Sequence, residues 1–305
     1  MPGRRCSFCG APVIVRLRPV NERLSDDLLA VAAAVLPAAD LDGAGLAGGA
    51  FHQVVLLPGT AVVRIARSPT AAAALPRRVE LLRRLAAADL PFAVPVPLSD
   101  VVTVDGRTAV ALTWLDGEPA AKETGGDPRQ LAALLQALRD VDLRPLADVL
   151  GPPHEYAGGD RWGELMLEEV VPRLPQQWHG EARRRLRAAI DLPPVRPALV
   201  HGDLAGGNMH WDRSGRLLGV LDWDLAQPFD PAVDAACLAW HGWERVRDAV
   251  DRDTLHRAGT WYLTFGLEHI AVDLLDGAPE ATLASSVARA TAWLERTSGW
   301  RPPQD

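Results

Sequence analysis

The first regular pattern in the chain is an apolar run over residues 28–36, opened by Ser25-Asp26-Asp27 and stopped by Pro37. A Ser or Asp ahead of such a run supplies a capping oxygen, and proline cannot continue a helix, so a helix is predicted there. A glycine-rich stretch from Asp42 to Gly49 follows, and the pattern then changes to short alternating runs. Residues 51–57 and 61–66, joined by Leu57-Pro58-Gly59-Thr60, predict a hairpin. Residues 72–87 predict a helix with Glu80 in its middle and Leu81, Leu82 and Leu85 on one side. Residues 101–104 and 107–114 flank Asp105-Gly106, a strong hairpin-turn signal. The first 115 residues therefore read as a small, mostly antiparallel sheet with a packed helix.

Leu115-Asp116-Gly117-Glu118-Pro119 breaks the strand pattern and is the expected hinge. Beyond it, helical spacing recurs over 129–141, 162–171, 181–190, 232–250, 254–275 and 282–295. One interruption, 199–221, returns to short strands and turns, and the unusual polar residues collect in it. Leu199-Val200-His201-Gly202-Asp203-Leu204-Ala205-Gly206-Gly207-Asn208 sets an Asp and an Asn five apart in a loop with three glycines. Residues 209–211 and 217–221 read as two strands turned by Asp212-Arg213-Ser214-Gly215. That hairpin returns the chain to its start, so Asn208 and Asp222 are expected side by side with Asp203 just ahead of them.

Two oxygen ligands without a competing thiolate suit Mg2+, which keeps waters and completes its shell with phosphates. A third carboxylate beside such a metal can accept a proton from an incoming hydroxyl. A catalytic Asp, an Asn five residues later and a second Asp beyond a hairpin are the parts of phosphoryl transfer from ATP. The order and spacing carry the signal; any one of these residues alone would read as an ordinary turn residue.

On those residues the segment 199–240 resembles the aminoglycoside phosphotransferase family of kinase-like enzymes, and the similarity extends from about Leu24 onward. The resemblance implies an α+β, two-lobed protein-kinase-like fold, with a β-rich N-terminal lobe and a mostly helical C-terminal lobe. By position it implies Asp203 as the catalytic base, Asn208 and Asp222 as Mg2+ ligands, and His201 as a support of the loop. Asp224 stands where protein kinases carry a glycine. Asp230-Pro231-Ala232-Val233-Asp234 is a second family-like element. Asp230 is expected to cap a helix that begins with proline, and Asp234 to brace the catalytic loop from its first turn. The expected division is a basic leader over 1–23, a nucleotide-binding lobe over 24–115 and a catalytic and substrate lobe over 116–305.

Composition narrows the choice of a phosphate-binding cation. Of 32 Lys and Arg residues only Lys122 is a lysine, and it follows the hinge in a polar loop. Arg64, inside the apolar Val62-Val63-Arg64-Ile65, is the candidate instead, with Glu80 one helix later as its expected partner. The resembled family often uses Arg at this position. Gly43-Ala44-Gly45-Leu46-Ala47-Gly48 satisfies G-x-G-x-x-G, but a strand and not a helix follows, so the dinucleotide reading fails on context. A turn between two strands over 48–52, with the amides of Gly48 and Gly49 covering ATP phosphates, fits better.

The net charge of -7 disfavours a nucleic-acid partner, which usually calls for a basic footprint, and welcomes a small cationic one. No run reaches the roughly 18 apolar residues of a membrane span, and no secretory signal is apparent, so a cytoplasmic setting is expected. Three cysteines are too few for a disulfide framework. Cys6 and Cys9 form a C-x-x-C pair, half of a zinc site at most, in a leader expected to be mobile. The leading expectation is transfer of the ATP γ-phosphoryl group to a hydroxyl of a small molecule such as an aminoglycoside, a macrolide, a sugar or an amino alcohol. A catalytically silent kinase-like nucleotide-binding module, and a metal-dependent hydrolase using His201, Asp203, His210 and Asp222, stand as alternatives.

Overall fold

The computed structural model describes residues 18–19, 24–49 and 51–303. Cys6, Cys9 and most of the expected leader lie outside these residues. The N-terminal part is a six-stranded antiparallel sheet of β1 (Arg18–Pro19), β2 (Gly45–Gly48), β3 (His52–Leu57), β4 (Ala61–Ala66), β5 (Val102–Val104) and β6 (Arg107–Thr113), in the order β1-β2-β3-β4-β6-β5.

Two helices cover this sheet, and each does so through its apolar spacing. In α1 (Asp26–Val35), Leu28, Val31, Ala32 and Val35 fall on one stripe and pack with Val63 and Ile65 of β4. Because neighbouring strand residues face opposite sides, burying Val63 and Ile65 against α1 sends Arg64 to the other face. That strand lies between β3 and β6, so Arg64 is interior to the sheet. Ser68 caps α2 (Pro69–Ala86) by accepting the Ala71 N–H at 3.1 Å, and Leu75, Val79, Leu82 and Leu85 join Val110 and Leu112 in the larger core.

The remainder is mostly helical: α3 (Pro128–Asp140), α4 (Trp162–Leu165), α5 (His179–Ile190), α6 (Ala232–Cys237), α7 (Trp243–Ala249), α8 (Arg252–Leu275) and α9 (Glu280–Arg296). Helices α8 and α9 approach so closely that a Cβ on Gly266 would overlap the Trp293 ring. Short strands β7 (Glu118–Pro119), β8 (Ala198–Val200), β9 (Met209–Trp211), β10 (Leu217–Val220) and β11 (Gln227–Phe229) form two small sheets, β10-β9-β7 and β11-β8. The expected hinge thus ends by pairing with the hairpin that follows the Asp203 loop.

Two helices are more broken than their periodicity suggests. The run 232–250 divides into α6, a 3-10 turn over Leu238–His241 and α7, because Gly242 takes φ 103° and reverses the chain. The run 162–171 starts as α4 but loosens into a π turn over Met166–Val170 and a 3-10 turn over Val171–Arg173, which contains Pro172. Strands β7 and β11 are too short to show alternation in sequence.

Candidate active site

The loop between β8 and β9 carries Asp203 and is fixed from two sides. Asp234, in the first turn of α6, accepts the N–H groups of His201 at 2.8 Å and Gly202 at 2.9 Å. Its burial pushes the carboxyl up to about 7, and these two bonds partly offset the shift. The His201 ring accepts the Asp203 N–H at Nδ1 (3.1 Å) and donates from Nε2 to the Leu221 carbonyl (2.7 Å). With one ring nitrogen accepting and the other donating, the imidazole is neutral, and burial pushes its pKa down to about 4. Gly202 takes φ 84°, and a Cβ there would sit 2.9 Å from the Leu225 carbonyl oxygen, so the residue before Asp203 has to be glycine.

Asp203 itself is 2% exposed. Asn208 donates from Nδ2 to the Asp203 backbone oxygen at 3.0 Å and to its carboxylate at 2.9 Å, which fixes the amide orientation. The Leu221 N–H donates to the Asn208 carbonyl at 2.8 Å, bringing Asn208 and Asp222 to the same end of the β9–β10 hairpin. Asp222 adopts φ 58°, ψ 65°, a left-handed conformation that Asp tolerates better than most residues. This turn drops Trp223 into the core, where it is 2% exposed, and holds Asp222 at the surface of the site.

Arg64 reaches this cluster from the sheet. Its Nη2 donates to Asp224 at 2.5 Å, to His52 Nδ1 at 2.7 Å and to Asp222 at 3.4 Å. Burial and then the Asp224 charge push the Asp222 carboxyl up to about 6, against the pull of Arg64 and Arg78. Burial would also raise Asp224, but Arg64, His52 and Arg78 hold it ionised well below the usual carboxylate range. Burial, then Arg64, pushes His52 down to about 4, so it meets Arg64 as a neutral acceptor. Gly48 and Gly49 lie at the turn from β2 to β3, which the Gly49 N–H closes onto the His52 carbonyl at 3.0 Å.

The expected Arg64–Glu80 pair is not formed. Glu80 accepts from Arg84 at 2.9 Å and lies 3.6 Å from Arg83, with 39% of its side chain exposed. The helix turns 100° per residue, so the stripe Leu75, Val79, Leu82, which packs inward, leaves Glu80 off to the side. Arg78 shares the inward stripe instead. Its Nη1 lies 3.2 Å from Asp224, an ion pair without hydrogen-bond alignment, and its guanidinium sits 5.2 Å from the Phe51 ring centroid.

Asp230 ties the base of the site to the helices. It accepts the Ala232 N–H at 3.0 Å at the start of α6, and takes Arg257 (2.6 and 3.1 Å) and the Trp261 indole (2.8 Å) on its other oxygen. Asp230 and Arg257 are both buried, so loss of either strands the other at a cost of about 3–5 kcal/mol.

Beside Asp224 opens a cleft of about 650 Å³ between α2 and the C-terminal end of α8. Arg77 and Arg78 line one wall, and Glu155, Tyr156, Asp273 and Asp276 the other. Tyr156 donates to Glu268 at 2.7 Å, and burial pushes this glutamate up to about 7 despite that bond. Its pKa is higher folded than unfolded, so the stability due to the bound proton is complete below about pH 4.5 and is lost as pH rises to about 7, on the order of 3 kcal/mol in all. Glu268→Gln should therefore flatten the decline in unfolding free energy between about pH 5 and pH 7.5, measured by urea titration. An unchanged slope would remove Glu268 as its source.

An antiparallel sheet set on a helical part, with an Asp-bearing loop, an Asn–Asp pair and a cation from the sheet converging between them, defines a kinase-like phosphotransferase. A sequence model of the phosphotransferase enzyme family matches residues 42–271, and the chain belongs to that family. It is 31% identical over 268 residues to viomycin phosphotransferase of Streptomyces vinaceus, covering 81% of this chain and 92% of that protein. In fold it is similar to the GDP and kanamycin complex of the aminoglycoside phosphotransferase APH(2")-IIIa, with a TM-score of 0.74, 18% identity and coverage of 88% of this chain and 99% of that one. It is also similar to the streptomycin–ATP ternary complex of APH(2")-IIa, with a TM-score of 0.66, 16% identity and coverage of 89% and 97%. The chain is thus an enzyme that transfers a phosphoryl group to a hydroxyl. Among the described residues, no helix is long and apolar enough to cross a membrane.

Proposed function

We propose that this enzyme moves the γ-phosphoryl group of ATP to a hydroxyl of a small cationic antibiotic, with Asp203 as the base. The observation that carries the reading is the locked loop: Asp203 is oriented through Asn208, His201 and Asp234, and Asn208 lies at the hairpin end that carries Asp222, which in turn meets Arg64. Asp203 accepts the hydroxyl proton as the oxygen attacks phosphorus and ADP leaves, and Arg64 holds the phosphate oxygens; the Gly49 N–H, expected to cover those phosphates, is spent on the His52 carbonyl instead. Asn208 and Asp222 offer oxygen donors, which fit Mg2+; when bound, it neutralises phosphate charge. The hydrolase alternative loses support because both His201 nitrogens are engaged, Nδ1 by the Asp203 N–H and Nε2 by the Leu221 carbonyl.

For the acceptor we take the cleft beside Asp224, where Asp273 and Asp276 supply negative charge and Glu155 is paired with Arg77. The similarity to viomycin phosphotransferase makes viomycin the first acceptor to try, followed by aminoglycosides and macrolides. Purified protein with Mg-ATP should release ADP in response to one of them and yield a product heavier by one phosphoryl group in the mass spectrometer. Binding of Mg-ATP with no acceptor-stimulated ADP release across antibiotics, sugars and amino alcohols would instead leave a silent nucleotide-binding module.

A further inference from the structure

We infer that Asp224, together with Arg78, is the positioning element for Arg64. In this enzyme one buried carboxylate shared by two arginines does what an acid on helix α2 was expected to do. The inference rests on the proposed role of Arg64 toward nucleotide phosphates and assigns Asp224 and Arg78 a part in it.

Asp224 is 4% exposed at the side chain and sits between the two guanidinium groups, 2.5 Å from Arg64 and 3.2 Å from Arg78. Among the described residues the hydrogen bonds of the Arg64 side chain fall on Nη2, so one nitrogen anchors the fork, and Nε and Nη1 are the donors assigned to a bound phosphate. The anchor also spares the metal site. Asp222 is the other acid near Arg64, at 3.4 Å. Were it the sole counter-ion, the arginine would compete with the cation for that carboxylate. Asp224 takes the shorter contact and leaves Asp222 the longer one.

The surroundings hold this arrangement on three sides. His52 on β3 accepts from the same Arg64 nitrogen. The 3-10 turn Trp223–Leu225, set by the left-handed Asp222, carries Asp224 under the sheet. Arg78 closes the third side from α2, and the Phe51 ring lies against it. Sheet, helix, glycine turn and metal-side loop thus meet at one carboxylate.

Simple electrostatics gives the test its sign. Removing a negative charge near bound triphosphate should strengthen Mg-ATP binding if Asp224 acts only through its charge. If it positions Arg64, Asp224→Asn should weaken Mg-ATP binding about tenfold, or about 1.4 kcal/mol by calorimetry. Asp224→Glu should recover part of that loss, and Glu80→Gln should leave the affinity unchanged. In an Arg64→Ala background, Asp224→Asn should cost little more, since coupled residues are not additive. Tighter binding in Asp224→Asn, or equal losses with and without Arg64, would overturn the inference while leaving the proposed function standing. A native protein that binds no Mg-ATP would overturn both.

Discussion

Asp203→Asn should lower turnover about 10²-fold or more while Mg-ATP affinity stays close to that of the native enzyme. A positioned general base contributes about 10²- to 10⁴-fold, and the amide cannot take the hydroxyl proton. The substitution is suited to the question because it changes little else. Asn208 donates to the backbone oxygen of residue 203 as well as to its side chain, and an Asn side-chain oxygen can still accept the second bond. The loop is held by contacts that do not use the Asp203 carboxylate, namely Asp234 to the His201 and Gly202 N–H groups, and His201 to Leu221. Thermal unfolding should therefore shift little. Single-turnover phosphorylation of the acceptor and calorimetric titration with Mg-ATP separate the two quantities. Loss of nucleotide affinity with normal turnover would reverse the assignment, making Asp203 part of the nucleotide site and not the acceptor's base.

The parts of this site that were legible in sequence are those whose geometry is local. Asp203, Asn208 and Asp222 come together because a turn closed by Asp212, which accepts the N–H groups of Ser214 and Arg216, sends the strand back on itself. Spacing along the chain therefore stands in for distance. Arg64 was legible as an arginine with apolar neighbours, but its partner lies 160 residues away, and a choice among acids could not be made by proximity in sequence. The information was nevertheless present in α2. Leu75, Arg78, Leu82 and Leu85 follow each other at helical spacing, so an arginine occupies the inward stripe, while Glu80 lies about 200° around the helix from Arg78. Glu268 shares this trait: Thr264, Glu268 and Ala271 fall on one buried face of α8, and a carboxyl in such a stripe signals a buried polar partner. The break at Gly242 was harder to read, because apolar spacing continues through it and only the backbone angle reveals the turn.

Asp222→Ala tests the other half of the mechanism and should remove the Mg2+ dependence of nucleotide binding. Of the two side chains that would hold the cation, Asp222 carries the only charge; Asn208 brings a neutral amide and spends its Nδ2 on Asp203. Loss of the carboxylate should cost more than the roughly 10- to 100-fold that accompanies loss of an outer partner of a metal site. Alanine is also strained at φ 58°, so Asp222→Asn is the companion variant: Asn accepts the left-handed conformation and keeps the shape while removing the charge. Arg64 remains held by Asp224 and His52 in both variants, so residual, metal-independent attraction for triphosphate should persist. The measurement is ATP affinity with Mg2+ and with chelator. In the native enzyme the two values should differ widely, and in both variants they should converge. A variant that keeps the native Mg2+ dependence would place the cation elsewhere, and with it the transferring phosphoryl group.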